Sequence, residues 1–401
     1  MADSTENKNI RFVKGNNEKF VTDTELRNEI SQCLQIDNLN FLIGAGCSSY
    51  VVDGNEKSIP VMTGLAEMFF TKYPDFKIDS RHKAIDDARF KWNLEALINH
   101  FVSIGIVSEH ARKNVKNKIK TINEFIFNKV CGAEPYNELF QLYRNFYLRI
   151  VKKTRKEPIN VYTTNYDLYN EQALDSLGFM YNNGFLGSAK RVFNPNSYNY
   201  VVVENLKLSR EVWNSVSNFI NLYKIHGSIN WIKEEDPVTG SQYILEKDRE
   251  LIRDRKRFDS LMIYPTPQKD RTTLMVPYSD LFRMMQNNLL KRNSVLITLG
   301  YSFSDEHINR IILNALSVYD FRIVIFGKSE MIERLKEIGD NRIWIINSDD
   351  VLEDTKVPIH FFKSIVEKAL PVLDDELQDD RKIRESILKL TSILGEDDKN
   401  E

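Results

Sequence analysis

Three stretches of this sequence carry residue types that can do chemistry at the ends of strands: "NFLIGAGCSS" at 40–49, "VYTTNYDLYNEQAL" around Asn165 and Asp167, and "YKIHGSINW" around His226. A fourth, "ITLGYSFSDEHI", places Gly300 and Ser302 at another strand–helix junction. An imidazole can take a proton from a hydroxyl or a water near neutral pH, the task open to His226. A carboxamide is no base, but it donates and accepts at once, so Asn165 can orient such a hydroxyl or water. Gly44 and Gly46 permit a tight turn with close approach to another group, and N–H groups at such a turn, with a helix start behind them, suit a phosphate. Ser49 stands where the dinucleotide fingerprint has its third glycine, so the stretch by itself also fits a plain turn. Each of the other stretches has a structural alternative as well. Asn165, Asp167, Ser302 or Ser304 can cap the next helix, and His226 can be a satisfied core imidazole.

The elements that would position these groups alternate. β-Branched runs occur at Ile159–Thr164, Leu222–Gly227, Leu261–Pro265, Ser294–Gly300, Arg322–Gly327 and Arg342–Asn347, most ending in small or polar residues. Helical stretches such as "EHINRIILNAL" and "SEMIERLKEIG" separate the later ones. Strand alternating with helix predicts an α/β, doubly wound, Rossmann-type parallel sheet with its ligand at the carboxyl edge. Between 57 and 156, apolar residues at three- and four-residue spacing predict an inserted helical domain. The α/β domain is therefore discontinuous, 1–56 and 157–350. Residues 351–401 read as a charged helical extension with an acidic tail.

Composition narrows the class. The 401 residues are 42% hydrophobic, with 55 basic and 57 acidic side chains and a net charge of −2. Nothing global draws the chain to nucleic acid or an anionic membrane. No signal peptide and no apolar run of the ~20 residues needed to span a bilayer is present, which predicts a cytoplasmic address. Cys33, Cys47 and Cys131 stand far apart, so one chain can build neither a disulfide framework nor a four-thiolate zinc site. Cys47, within the glycine turn, reads as a small buried thiol rather than a nucleophile.

In their order, "GAGCS", "TTNYD", "HGS" and "GYS" resemble the sirtuin motifs, and "KIHGSINW" and "LGYSFSDEHINRII" are similar to the sirtuin-like domains of bacterial defence proteins. The resemblance covers roughly 38–347 outside the insertion. It implies a sirtuin-like fold in which Asn165 and His226 are catalytic. Gly44, Ala45, Gly46 and Ser48 would line the phosphates and ribose of NAD, Asp167 would hold the nicotinamide carboxamide, Gly300 and Ser302 would meet the distal half, and Asn347 would lie near the adenosine ribose. Deacylating sirtuins carry a four-cysteine zinc module; three cysteines cannot make one, so no zinc module and no metal are expected, and the peptide cleft beside that module is in doubt. Tyr166 replaces an aliphatic residue of the classical enzymes.

With water as acceptor, the resemblance implies an NAD glycohydrolase, NAD being substrate, that yields nicotinamide and ADP-ribose and serves anti-phage defence by NAD depletion. The pyridinium leaves neutral, so the paired carboxylates of ordinary glycosidases are not required. A homo-oligomer and a HerA-type hexameric ATPase partner are the implied regulators. Two alternatives stay open: a protein deacylase or ADP-ribosyltransferase, and a non-catalytic NAD- or ADP-ribose-binding assembly module.

Overall fold

The computed structural model describes residues 8–372 except 53–54, 60–61, 108–111, 133–135, 153–154, 205–213, 218, 249–259 and 263–275. In chain order the strands are β1 (Ile10–Lys14), β2 (Asn17–Val21), β3 (Asn38–Ile43), β4 (Ser49–Val52), β5 (Asn55–Ser58), β6 (Ile159–Thr163), β7 (Tyr181–Asn182), β8 (Phe185–Leu186) and β9 (Arg191–Phe193). They continue with β10 (Val203–Glu204), β11 (Asn214–Ser215), β12 (Ile220–Lys224), β13 (Gly227–Glu235), β14 (Gln242–Glu246), β15 (Ser260–Met262), β16 (Ser294–Leu299), β17 (Arg322–Phe326) and β18 (Ile343–Asn347). Nine of them form one sheet in the order β2-β1-β18-β17-β16-β3-β6-β12-β7. From β18 to β7 all neighbours are parallel, and β1 and β2 add an antiparallel hairpin beside β18. The fold is mixed α/β with a large, mostly parallel sheet, in agreement with the sirtuin-like Rossmann-type reading.

Alternation along the strands explains why both faces are covered. Phe41, Ile43, Val295, Ile297 and Trp344 point to one core with α1 (Asp23–Cys33), α5 (Asn137–Ile150) and α6 (Tyr169–Leu177), while Leu42, Leu296, Ile323 and Ile345 point to the other. The helices Tyr278–Leu289 and Glu306–Ala315 close that second face. A capping box starts α1: Glu25 N–H donates to Thr22 Oγ1 at 3.1 Å and Thr22 N–H to Glu25 Oε2 at 3.0 Å, a motif that stabilises a helix by about 1 kcal/mol.

Helices α2 (Met62–Lys72), α3 (Leu94–Val107) and α4 (Arg112–Gly132) build a separate core around Phe69, Phe101 and Ile122. Helix α5, grouped with them by its periodicity, instead buries Leu142, Tyr143 and Phe146 in the sheet core, and β5 ends at Ser58, past the residue-57 boundary. The insertion core takes in Ile229 and Ile232 of β13, with Tyr166 and Leu168 packed against it, so this block abuts the loop that follows β6.

Two expectations change. The glycine turn leads into a three-residue 3-10 turn, Ala45–Cys47, and then the β4–β5 hairpin, not a helix. Val52 pairs with Asn55 across the dipeptide Asp-Gly, the sequence signal for a two-residue hairpin link, which favours pairing over a helix. Second, Leu261–Pro265 is not a strand of the main sheet. Leu261 and Met262 belong to β15 in a five-stranded sheet, β15-β13-β14-β9-β8, whose pairs are antiparallel, and 263–265 lie outside the described residues. The acidic end, 373–401, also lies outside them. Among the described residues no helix is long and apolar enough to cross a membrane.

Candidate active site

β16, β3, β6 and β12 are consecutive in the sheet, so Gly300, Gly44, Asn165 and His226 emerge at neighbouring positions on its carboxyl edge. The glycines first serve this convergence. Gly44 is extended, at φ −103° and ψ −179°, yet a Cβ there would lie 2.4 Å from Gly300 O. Gly300 has φ +58°, and its own Cβ would meet Cys47 N at 2.6 Å. The close approach anticipated for the turn is thus an approach of two protein backbones. Gly44 N–H donates to Leu299 O at 2.8 Å and Gly46 N–H to Gly300 O at 3.0 Å, while Cys47 and Ser48 N–H groups bond within the turn. With those donors engaged and no helix behind them, the turn offers a phosphate far less than its sequence promised. Ala45 and Gly46 remain its solvent-facing members. Cys47 is fully buried, and burial pushes its thiol well above the ordinary range, which leaves it inert.

Replacing Gly300 by alanine should cost on the order of 2–4 kcal/mol, from a left-handed backbone and a backbone overlap together. Chemical denaturation measures this. A loss below about 1 kcal/mol would mean that the two loops are free to part.

Asn165 knits the neighbouring loops. Its Nδ2 donates to Gly44 O at 3.0 Å and to Ser48 Oγ at 2.7 Å, and Ser48 Oγ donates to Asp167 Oδ2 at 2.5 Å. Ser48 is 3% exposed and turned inward, so it orders Asn165 and Asp167 rather than facing solvent. Asp167 Oδ1 accepts from Tyr169 N–H at 3.1 Å, so this carboxylate both steadies the start of α6 and joins the network.

His226 reaches across the site. Its Nε2 lies 3.2 Å from Asp305 Oδ2. Two strands separate β12 from β16, about 14 Å at ordinary strand spacing, so the loop 300–305 and the His226 turn meet over the ends of β3 and β6. Asp305, not Ser302 or Ser304, caps the helix Glu306–Ala315, accepting from His307 N–H at 3.1 Å and Ile308 N–H at 3.4 Å. One carboxylate therefore fixes a helix start and an imidazole. Phe303 is held at φ +59° nearby, its carbonyl accepting from Asn309 Nδ2 at 2.7 Å. Such a conformation in a bulky residue persists only where its surroundings enforce it.

Against the backbone that follows Asn165 lies a buried cation that sequence reading passed over. Lys224 Nζ donates to the carbonyls of Tyr166 (3.3 Å) and Asp167 and to Ser228 Oγ (2.6 Å), and stands 3.0 Å from Glu171 Oε1. The one available signal was a lysine inside an otherwise apolar strand end, "LYKIHG".

Asn165 and Asp167 are 5% exposed and His226 is 8%, so the polar center is nearly closed, whereas Ser302 is exposed, its Oγ donating to Ser304 Oγ at 3.0 Å. Asn347 ends β18, donates to Gly327 O at 3.1 Å, and joins none of these bonds.

Residues 159–346 match the family model described as a SIR2-like domain. The match runs from the start of β6 to Ile346 in β18, includes Asn165, Asp167, His226, Gly300 and Ser302, and leaves out the glycine turn and Asn347. It supports a sirtuin-like, NAD-related protein. No curated protein matches the chain.

Proposed function

We propose that this chain is an NAD glycohydrolase, releasing nicotinamide and ADP-ribose, and that it serves anti-phage defence by NAD depletion. The observation that carries the reading is the His226–Asp305 pair, with Asn165 following the neighbouring strand, at the carboxyl edge of four adjacent parallel strands. With Nε2 at ion-pair distance from the Asp305 carboxylate, 3.2 Å, Nδ1 of His226 is the ring atom assigned to the reacting proton. In the reaction the bond between ribose and nicotinamide breaks, and its electron pair leaves with neutral nicotinamide. Water adds to the anomeric carbon and gives a proton to His226, whose imidazolium Asp305 stabilises. Asn165, already locked by Gly44 and Ser48, orients the water or the ribose hydroxyls.

A closed center that must open to admit NAD suits an enzyme governed by assembly, and we assign that control to self-association or a HerA-type ATPase, acting through the α2–α4 block beside Tyr166 and Leu168. Purified chain incubated with NAD, alone and with such an ATPase, should give nicotinamide and ADP-ribose in equal amounts in at least one arm. Cleavage in neither, or only after an acyl-lysine or protein acceptor is added, would replace this reading with a binding module or a transferase respectively.

A further inference from the structure

At the opposite, amino edge of the same strands lies a cavity of about 1160 Å³, where β3, β6 and β12 begin and the helix Tyr278–Leu289 ends. Nothing in the proposed reaction uses it. Its wall combines three kinds of group. Lys152, Lys156, Lys291 and Arg292 stand at its rim against two carboxylates, Asp37 and Glu157. Arg155 also lines it but is committed to the carbonyls of Leu34, Ile36 and Asp37 beyond the end of α1, and burial pulls its guanidinium below its usual range. The three lysines have no carboxylate within ion-pair distance among the described residues. An excess of cations around a concave space is a site for an anion.

The second group is a ladder of amides. Asn40, Asn160 and Asn221 are register partners on β3, β6 and β12. Asn221 Nδ2 donates to Asn160 Oδ1 at 3.3 Å, Asn160 Nδ2 to Asn40 Oδ1 at 3.1 Å, and Asn40 Nδ2 to Val295 O at 3.2 Å. Every donor in the row is turned the same way, so the last acceptor, Asn221 Oδ1, is left over. Asn221 lines the cavity, is 8% exposed, and has no partner for that oxygen among the described residues. That oxygen, on the wall of the cavity, is free to accept a hydrogen bond from water or from a donor brought by a ligand. The third group is aromatic. Tyr198 stacks on Tyr223 at 4.3 Å and Tyr223 on Tyr162 at 4.7 Å, and Tyr200, 59% exposed, stands at the mouth.

We propose that this amino-edge cavity is a second site, binding a nucleotide, with phosphates at Lys152, Lys156 and Lys291, the base on Tyr200, and a base or sugar donor on Asn221 Oδ1. Cations alone would suit any polyanion. The exposed ring and the unmatched amide are what call for a base. The nucleotide can be free or one unit of a single strand, and the site is independent of NAD cleavage at the other edge.

Calorimetric titration of the full chain with ATP, inorganic triphosphate and a short dT oligonucleotide tests it. The expected result is binding of ATP or the oligonucleotide that weakens about 10-fold or more in Lys156→Glu/Lys291→Glu and in Tyr200→Ala, one decade being the scale of a single lost contact. These are surface positions, and melting curves confirm that the variants fold. Binding of ATP identifies a free nucleotide. Binding of the oligonucleotide alone, falling steeply with salt, identifies a single strand. The same affinity in His226→Ala separates this site from the carboxyl edge. The proposal fails if neither probe binds, if inorganic triphosphate binds as tightly as ATP, if both rim variants keep the parent affinity, or if His226→Ala abolishes binding.

Discussion

His226→Ala and Asn165→Ala should each lower NAD cleavage by about 10²-fold or more, the scale of losing a positioned catalytic group, in protein that still folds. The two losses have different causes. Without the imidazole, the water's proton has no acceptor at the carboxyl edge, and Asp305 Oδ2 loses its partner at 3.2 Å. Without the amide, Gly44 O and Ser48 Oγ lose a common donor, and Asp167 is left bonded to a hydroxyl that has lost the Asn165 contact. Asp305→Asn separates chemistry from architecture, because asparagine caps a helix about as well as aspartate but cannot hold the imidazolium as a charge partner. Its melting temperature should stay near the parent's while turnover falls, with the loss depending on pH. Nicotinamide release measured beside thermal melting decides. A His226→Ala chain as fast as its parent would remove histidine from the mechanism, and equal turnover in Asn165→Ala would reduce that side chain to a loop brace.

Much of the scaffold was legible because buried parallel strands announce themselves. "FLI", "VLIT", "IVIF" and "IWII" are short, β-branched or large apolar runs with polar ends, and each became a strand of the main sheet. The junctions after β3, β6, β12 and β16 were legible for the same reason, since a strand that must stop at a site does so on small or polar residues. What escaped depends on pairing between distant segments. The second sheet joins β8 and β9 to β14 and β13 to β15, and no local period states which strand "GSINWIKEE" will find beside it; the β4–β5 hairpin, by contrast, is local and carried its own Asp-Gly signal. Asp305 looked like one of several caps in "YSFSDEHI"; its second oxygen acquires meaning only once His226 arrives from another strand. The close contact of Gly44 with Gly300 is likewise a fact of two loops. Either glycine alone reads as a turn or a ligand cradle.

Lys224→Met should be the most destabilising single change near the site, costing about 3–5 kcal/mol at neutral pH, as expected when one partner of a buried ion pair is removed. The side chain of Lys224 is 1% exposed and that of Glu171 8%, so neither group has water to fall back on. Burial pushes the Glu171 carboxyl above the usual carboxylate range, and Lys224 is the largest influence pulling it back. Methionine fills the space of the aliphatic stem but leaves the buried Glu171 without its counter-charge, and leaves the carbonyls of Tyr166 and Asp167 without their shared donor. The pH dependence follows in sign. In the variant the folded-state pKa of Glu171 rises further above its unfolded value, so the folded protein binds the extra proton. The deficit is then smallest below the unfolded pKa, near 4.5, and grows as pH rises through the folded value. Adding Glu171→Gln should recover part of the loss and flatten that dependence, which denaturation of the single and double variants between acid and neutral pH would measure. Turnover should stay low even in the rescued double variant, because the amide restores neutrality without restoring the ammonium that fixes the Tyr166 and Asp167 carbonyls within the Asn165–Asp167 bend. Full activity in that double variant would show that the lysine stabilises the fold without positioning the site.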